Sequence, residues 1–246
     1  MDQLFFSGDG TPLTKPEDVI LLLGEKKHWR EGRSAYEAAY SWFDAHDVPP
    51  AVRAVIKTDP AFAQSVLVKA VFEKQTALDA FGRPSQTDVL ALLQTNSGSA
   101  ILGIEAKVDE TFGPLVVEWD NGSPGKKQRL AGLVERLDLD KNLIGNLRYQ
   151  LLHRTVATLL EADRHSASDV AMVVQSFSPK TIRAGFVDFQ AFAGALGIPI
   201  DQPGKLSRPI DRGGVTGVCG RWWTGFLRAK SSCPSTTCCR LCEYDF

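Results

Sequence analysis

The sequence predicts an α/β or α+β domain with a small central sheet. Three observations lead there. Apolar residues recur at helical spacing in the first third of the chain and again in its middle. Two short apolar runs flank a turn sequence between residues 87 and 108. A later run, Ala171-Met172-Val173-Val174-Gln175-Ser176-Phe177, is short and wholly buried in character. At 246 residues the chain can bury a substantial core.

Taken in order, Thr14-Lys15-Pro16-Glu17 opens a short helix to about Leu23, with Thr14 as cap and Gly24 as stop. Gly32-Arg33-Ser34-Ala35-Tyr36-Glu37 opens a second, running to about Ala45 with Ala35, Ala38, Ala39, Trp42 and Phe43 on one face. Pro49-Pro50 breaks the chain. Residues 51 to 80 read as further helix, with Val66, Leu67, Ala70 and Val71 inward. After Phe81-Gly82-Arg83-Pro84, the runs Thr87 to Leu93 and Ala100 to Val108 form a β-hairpin around Asn96-Ser97-Gly98-Ser99. Helices follow over 124 to 137, capped by Ser123, and over Leu143 to Arg164. The strand at 171 to 177 and a helix over 186 to 196 complete the domain, and no internal repeat is visible.

Composition narrows the class without naming a partner. With 43% hydrophobic and 23% charged residues, the chain reads as an ordinary globular protein. The run Val19-Ile20-Leu21-Leu22-Leu23 is far short of the roughly 20 apolar residues that span a bilayer. Met1-Asp2-Gln3-Leu4 lacks the basic start of a secretory signal, so the expectation is a cytoplasmic protein without a membrane partner. A net charge of −1 neither advertises nor excludes nucleic acid, because metal-holding carboxylates offset phosphate-gripping cations. Cys219, Cys233, Cys238, Cys239 and Cys242 all lie late in the chain, which is not a disulfide framework for the core. Cys239-x-x-Cys242 has zinc-ligand spacing but no second such pair.

The chemistry concentrates in Ile101-Leu102-Gly103-Ile104-Glu105-Ala106-Lys107. Residues two apart on a strand share a face, so Glu105 and Lys107 emerge side by side from an otherwise apolar run. A turn centred near Asn96-Ser97 makes paired residue numbers sum to about 193, which sets Asp88 opposite Glu105. Two opposed acids raise each other's pKa, and a divalent cation between them removes the conflict. Lys107 beside that cation can position a water and stabilise charge developing on a phosphate. The second acid-x-lysine match, Glu25-Lys26-Lys27, has no paired acid strand and reads as solvated surface.

An acid on one strand followed by acid-x-lysine on the next resembles the PD-(D/E)XK nuclease superfamily. Pro84 stands four residues before Asp88, so the adjacent proline–aspartate pair is missing. Gly32-Arg33-Ser34-Ala35-Tyr36-Glu37, Arg83-Pro84-Ser85-Gln86, Glu105-Ala106-Lys107-Val108-Asp109-Glu110 with Phe112-Gly113, and Arg148-Tyr149-Gln150-Leu151-Leu152-His153-Arg154 resemble an uncharacterised bacterial family assigned to that superfamily. The resemblance covers about residues 28 to 200. It implies a restriction-endonuclease-like fold, a small central mixed sheet flanked by helices, and phosphodiester hydrolysis dependent on Mg²⁺ or Mn²⁺. By the same resemblance, Asp88, Glu105 and the Ala106 carbonyl hold the metal, and Lys107 is base or electrostatic stabiliser. Glu37 matches an extra acid on the helix before the sheet, and Gln150 a glutamine that orients the site. Superfamily habit favours DNA over RNA as the nucleic-acid partner, and a homodimer is left open.

Each of these has a plainer reading. Glu105 and Lys107 can form a cross-strand salt bridge, and Ser34-x-x-Glu37 is a capping box. Gln150, His153, Arg154 and Glu161 share a helical stripe of the kind that is usually solvated. The expected organisation is a nuclease-like catalytic domain over residues 1–212 and a basic, cysteine-containing, poorly ordered tail over 213–246. The alternative is a catalytically inactive nucleic-acid- or protein-binding module that keeps the fold.

Overall fold

The computed structural model describes residues 3–80, 82–177, 182–211 and 221–228. Strands β1 (Phe5–Ser7), β2 (Val66–Thr76), β3 (Ser85–Thr95), β4 (Gly98–Lys107), β5 (Asp169–Ser176), β6 (Ile210–Asp211) and β7 (Arg221–Arg228) form one sheet. Its order is β1-β2-β3-β4-β5-β7-β6. The run β2-β3-β4 is antiparallel, whereas β4, β5 and β7 pair in parallel, as do β1 and β2. Helices α1 (Ser34–Ala45), α2 (Pro50–Ile56), α3 (Val116–Trp119), α4 (Pro124–Leu137), α5 (Tyr149–Arg164) and α6 (Ile182–Ala195) flank it. The fold is therefore mixed α/β, as the order of elements predicts.

Each face of the sheet carries its own apolar core. On one face, Ala38, Ala39, Trp42 and Phe43 of α1 pack with Val89, Ala91, Leu102 and Ile104. On the other, Leu151, Leu152 and Leu159 of α5 pack with Leu90, Ile101, Met172 and Val174. Gly103 makes the second layer possible. A Cβ there would lie 2.1 Å from Thr158 Oγ1 and 2.8 Å from Thr158 Cγ2, so only a glycine lets α5 rest this close on β4. Among the described residues no helix is long and apolar enough to cross a membrane.

Three sequence expectations need correction. Residues 51 to 80 are not one helix. The helix ends at Ile56, Asp59 and Pro60 open a short 3-10 turn with Asp59 accepting from the Ala61 N–H at 2.9 Å, and Val66–Thr76 is strand. Val66, Val68, Val71 and Phe72 are strand formers, and contacts with β1 and β3 override the helical spacing. The helix expected from Leu143 starts only at Tyr149, after turns around Asp140 and Gly145. The strand at 169–176 is not the last: Arg221–Arg228, expected in the tail, pairs with β5 along its whole length. Its Trp222, Trp223, Thr224 and Phe226 are residue types that favour strands. The five cysteines and the zinc reading attached to them lie outside the described residues.

Candidate active site

The hairpin holds the register inferred from its turn. Its pairs, from Val89↔Ile104 to Thr95↔Gly98, all sum to 193, and one step further Asp88 comes opposite Glu105. Leu90 and Ile101 belong to the core beneath α5, so alternation sends Asp88 and Glu105 to that same face. A single-residue slip would have separated them.

Glu105 is 2% exposed and surrounded by donors. Its Oε1 accepts from Gln150 Nε2 at 2.7 Å and lies 2.9 Å from Lys107 Nζ, while Oε2 accepts from Arg154 Nε at 2.5 Å. Lys107 Nζ also donates to Gln150 Oε1 at 2.9 Å. Gln150 thus bridges acid and amine from the first turn of α5, and Arg154 sits one turn later. Arg154 Nη1 reaches Ser85 Oγ at 3.0 Å, and Ser85 Oγ meets His153 Nδ1 at 2.9 Å. The α5 stripe, of a kind that is usually solvated, is instead the polar seam between helix and sheet. Buried charge on β4 needs it.

Asp88 is held differently. Its Oδ2 accepts from the Ala106 N–H at 2.6 Å, and among the described residues Oδ1 has no partner. The Lys107 carbonyl accepts from Phe177 on the β5 side at 2.7 Å, so alternation turns the backbone groups of Ala106 the other way, toward Asp88. Burial, then Glu105 and Glu73, push the Asp88 carboxyl well above the usual carboxylate range. Glu105 goes down, because Arg154 and Lys107 together overcome its burial.

Glu73 is the acid that the sequence reading passed over. It stands on β2 at the level of Asp88, between the pairs Phe72↔Val89 and Lys74↔Thr87. Its φ of 52° is left-handed, a conformation unusual for a non-glycine in a strand. Its Oε2 accepts from Gln86 Nε2 at 2.6 Å, and burial is the main cause that raises its pKa to about 7. Glu73, Asp88 and Glu105 therefore step across three adjacent strands. Arg154 and Lys107 face the Glu105 end of that row. A visible signal for Arg154 was its place four residues after Gln150; nothing local marks Glu73.

Glu37 is not brought into this cluster by its helix, since α1 packs on the opposite face of the sheet. The Glu37 carboxylate accepts from the Gly32 N–H at 2.9 Å, just ahead of α1. That resembles the capping role weighed against the catalytic one, with Gly32 in place of Ser34. Glu25 pairs with Lys27 at the surface, as expected for the second acid-x-lysine match.

The donor set suits a hard divalent cation in part. Mg²⁺ takes oxygen ligands, keeps several waters, and needs only one or two carboxylates. Asp88 Oδ1 is open, the Ala106 backbone faces the same side, and Glu105 Oε2 holds one donor where two would fit. Among the described residues no group of three or more histidine, cysteine or acidic side chains is placed to hold a metal ion.

A family model described as "Domain of unknown function (DUF6946)" matches residues 12–224. No curated protein and no solved structure matches the chain.

Proposed function

The chain belongs to the family described as "Domain of unknown function (DUF6946)", and from that premise we propose that it is a cytoplasmic metal-dependent nuclease of PD-(D/E)XK type, with DNA as the first substrate to test. One observation carries the reading. Asp88 and Glu105 rise on the same face of one hairpin, and Asp88 keeps an oxygen open while its neighbours oppose its charge.

In this reading Asp88, Glu105 and the Ala106 carbonyl hold Mg²⁺ or Mn²⁺. The bound cation would supply Lewis acidity toward a phosphate oxygen and an acidified water. Lys107, held by Gln150 and Glu105, offers its ammonium to charge developing on the phosphate. Arg154 and Gln150 fix the Glu105 rotamer, and Arg154 and Lys107 keep its carboxylate ionised. Gln150 is thus a positioning residue.

A second reading, an inactive binding module, is favoured by the number of donors already on Glu105. A cleavage assay separates the two. Single- and double-stranded DNA and RNA are incubated with Mg²⁺ or Mn²⁺ and wild-type, Lys107→Ala or Asp88→Asn protein. The nuclease reading expects wild-type cleavage and a loss of about 100-fold or more in each variant. Intact substrates throughout, with no cation effect on the melting temperature, would end it.

A further inference from the structure

A cavity of about 360 Å³ opens on the α5 side of the sheet, beyond the end of that helix. Its floor is apolar, made by Val71 of β2, Leu90 and Leu92 of β3, and Ile101 of β4. Its rim is basic. Lys69 and Lys74 of β2 line it together with His165, the residue that ends α5. Among the described residues neither lysine has an ion-pair partner. The acids nearby are already engaged: Asp9 by Ser7 and the Thr11 N–H, Glu161 by Thr76 and Arg164.

Glu73 sits beside the basic rim in the chain. Strand alternation would send Val71 and Lys74 to opposite faces. Both nonetheless line the same cavity, and Glu73, with its left-handed backbone, stands between them in the chain.

We propose that this cavity binds the phosphomonoester end of a nucleotide, with the phosphate between Lys69 and Lys74 and the base on the Val71–Leu90–Leu92–Ile101 floor. Two unpaired lysines match the double charge of a phosphomonoester, whereas a fatty carboxylate would neutralise only one. The volume lies in the range of small-molecule sites. The nucleotide is either free or the terminus of a strand, and the latter deepens the proposed nuclease reading by assigning it a substrate end.

The test measures binding in EDTA, so that it is independent of cation-dependent cleavage. Probes are deoxyadenosine 5′-monophosphate, deoxyadenosine, laurate, and one oligonucleotide with and without a 5′-phosphate. Ligands are titrated against wild type, Lys69→Gln and Lys69→Gln/Lys74→Gln, with circular dichroism to verify folding. The expected result is phosphate-dependent binding, weakened about tenfold or more in the double variant. Tighter binding of the phosphorylated oligonucleotide than of the mononucleotide identifies a strand end; the reverse identifies a free nucleotide. Absence of binding by either phosphorylated probe, equal binding of laurate, or insensitivity to the lysine changes overturns the proposal. A failed cleavage assay with intact phosphate binding removes only the nuclease reading.

Discussion

Asp88 accepts a 2.6 Å hydrogen bond from the N–H of Ala106, the residue between Glu105 and Lys107. The bond ties the acid of β3 to the acid-x-lysine segment of β4 past the last paired residues of the hairpin. It leaves Asp88 with one donor, where Glu105 has three. That inequality underlies the first expectation.

Asp88 and Glu73 both bind their protons more tightly in the folded chain than at their ordinary values of 3.8 and 4.5. The folded state then holds more protons than the unfolded one across the intervening range, and stability falls as pH rises. The penalty is absent below about pH 4 and grows through about 7 for Glu73, and Asp88 adds to it in the same direction. Asp88→Asn is expected to melt higher than wild type at pH 8, by roughly 2–4 °C for each kcal/mol relieved. Melting curves for the two proteins that run parallel from pH 5 to 8 would contradict this.

Arg154 and Lys107 both contact Glu105, but their removal should differ. Arg154 alone serves Oε2, whereas Oε1 keeps Gln150 when Lys107 is lost. Arg154→Met is expected to cost about 3–5 kcal/mol, as for a broken buried ion pair. Lys107→Met should cost clearly less. Chemical denaturation of both variants decides the order, and a larger loss for Lys107→Met refutes the division of labour.

His153 should stay neutral through the physiological range. Burial, and then the Arg154 charge, lower its pKa to about 3. A depressed folded value means that stability from the neutral ring is complete above about pH 6.5 and is lost as pH falls toward 3. Its imidazole NMR signals are expected to remain flat between pH 8 and 5. A midpoint near 6.5 would place the ring in water instead.

Gly103→Ala tests the seating of α5. The added methyl would meet Thr158 at 2.1 Å, and Thr158 Oγ1 is itself bonded to the Arg154 carbonyl at 2.9 Å. A loss of about 1–3 kcal/mol is expected, as for overpacking, together with weaker function at Glu105. Adding Thr158→Ala should recover most of it. No recovery in the double variant means that the contact does not limit packing there.

The hairpin was legible because its turn sequence fixes a register and because charge inside an apolar run is conspicuous. Gln150 came only from resemblance, and its helical stripe misled. Polar residues four apart look the same whether they meet water or a charged strand. Residues 66 to 76 misled for a related reason: Leu67, Ala70 and Val71 satisfy helical spacing, and only pairing with β1 and β3 selects the strand. Glu73 had no signature at all, since a left-handed residue in mid-strand is imposed by its neighbours rather than by its own type.

The place of β7 has a consequence for how the chain reaches this state. It comes from late in the sequence, yet it lies between β5 and β6 rather than at the rim. Until Arg221–Arg228 has docked, β5 presents a bare row of amides and carbonyls along its eight residues, all of them buried in the finished fold. A chain cut after residue 212 would keep every candidate ligand and still expose that adhesive edge. Aggregation of the shortened protein, rather than loss of a catalytic group, is the failure to anticipate.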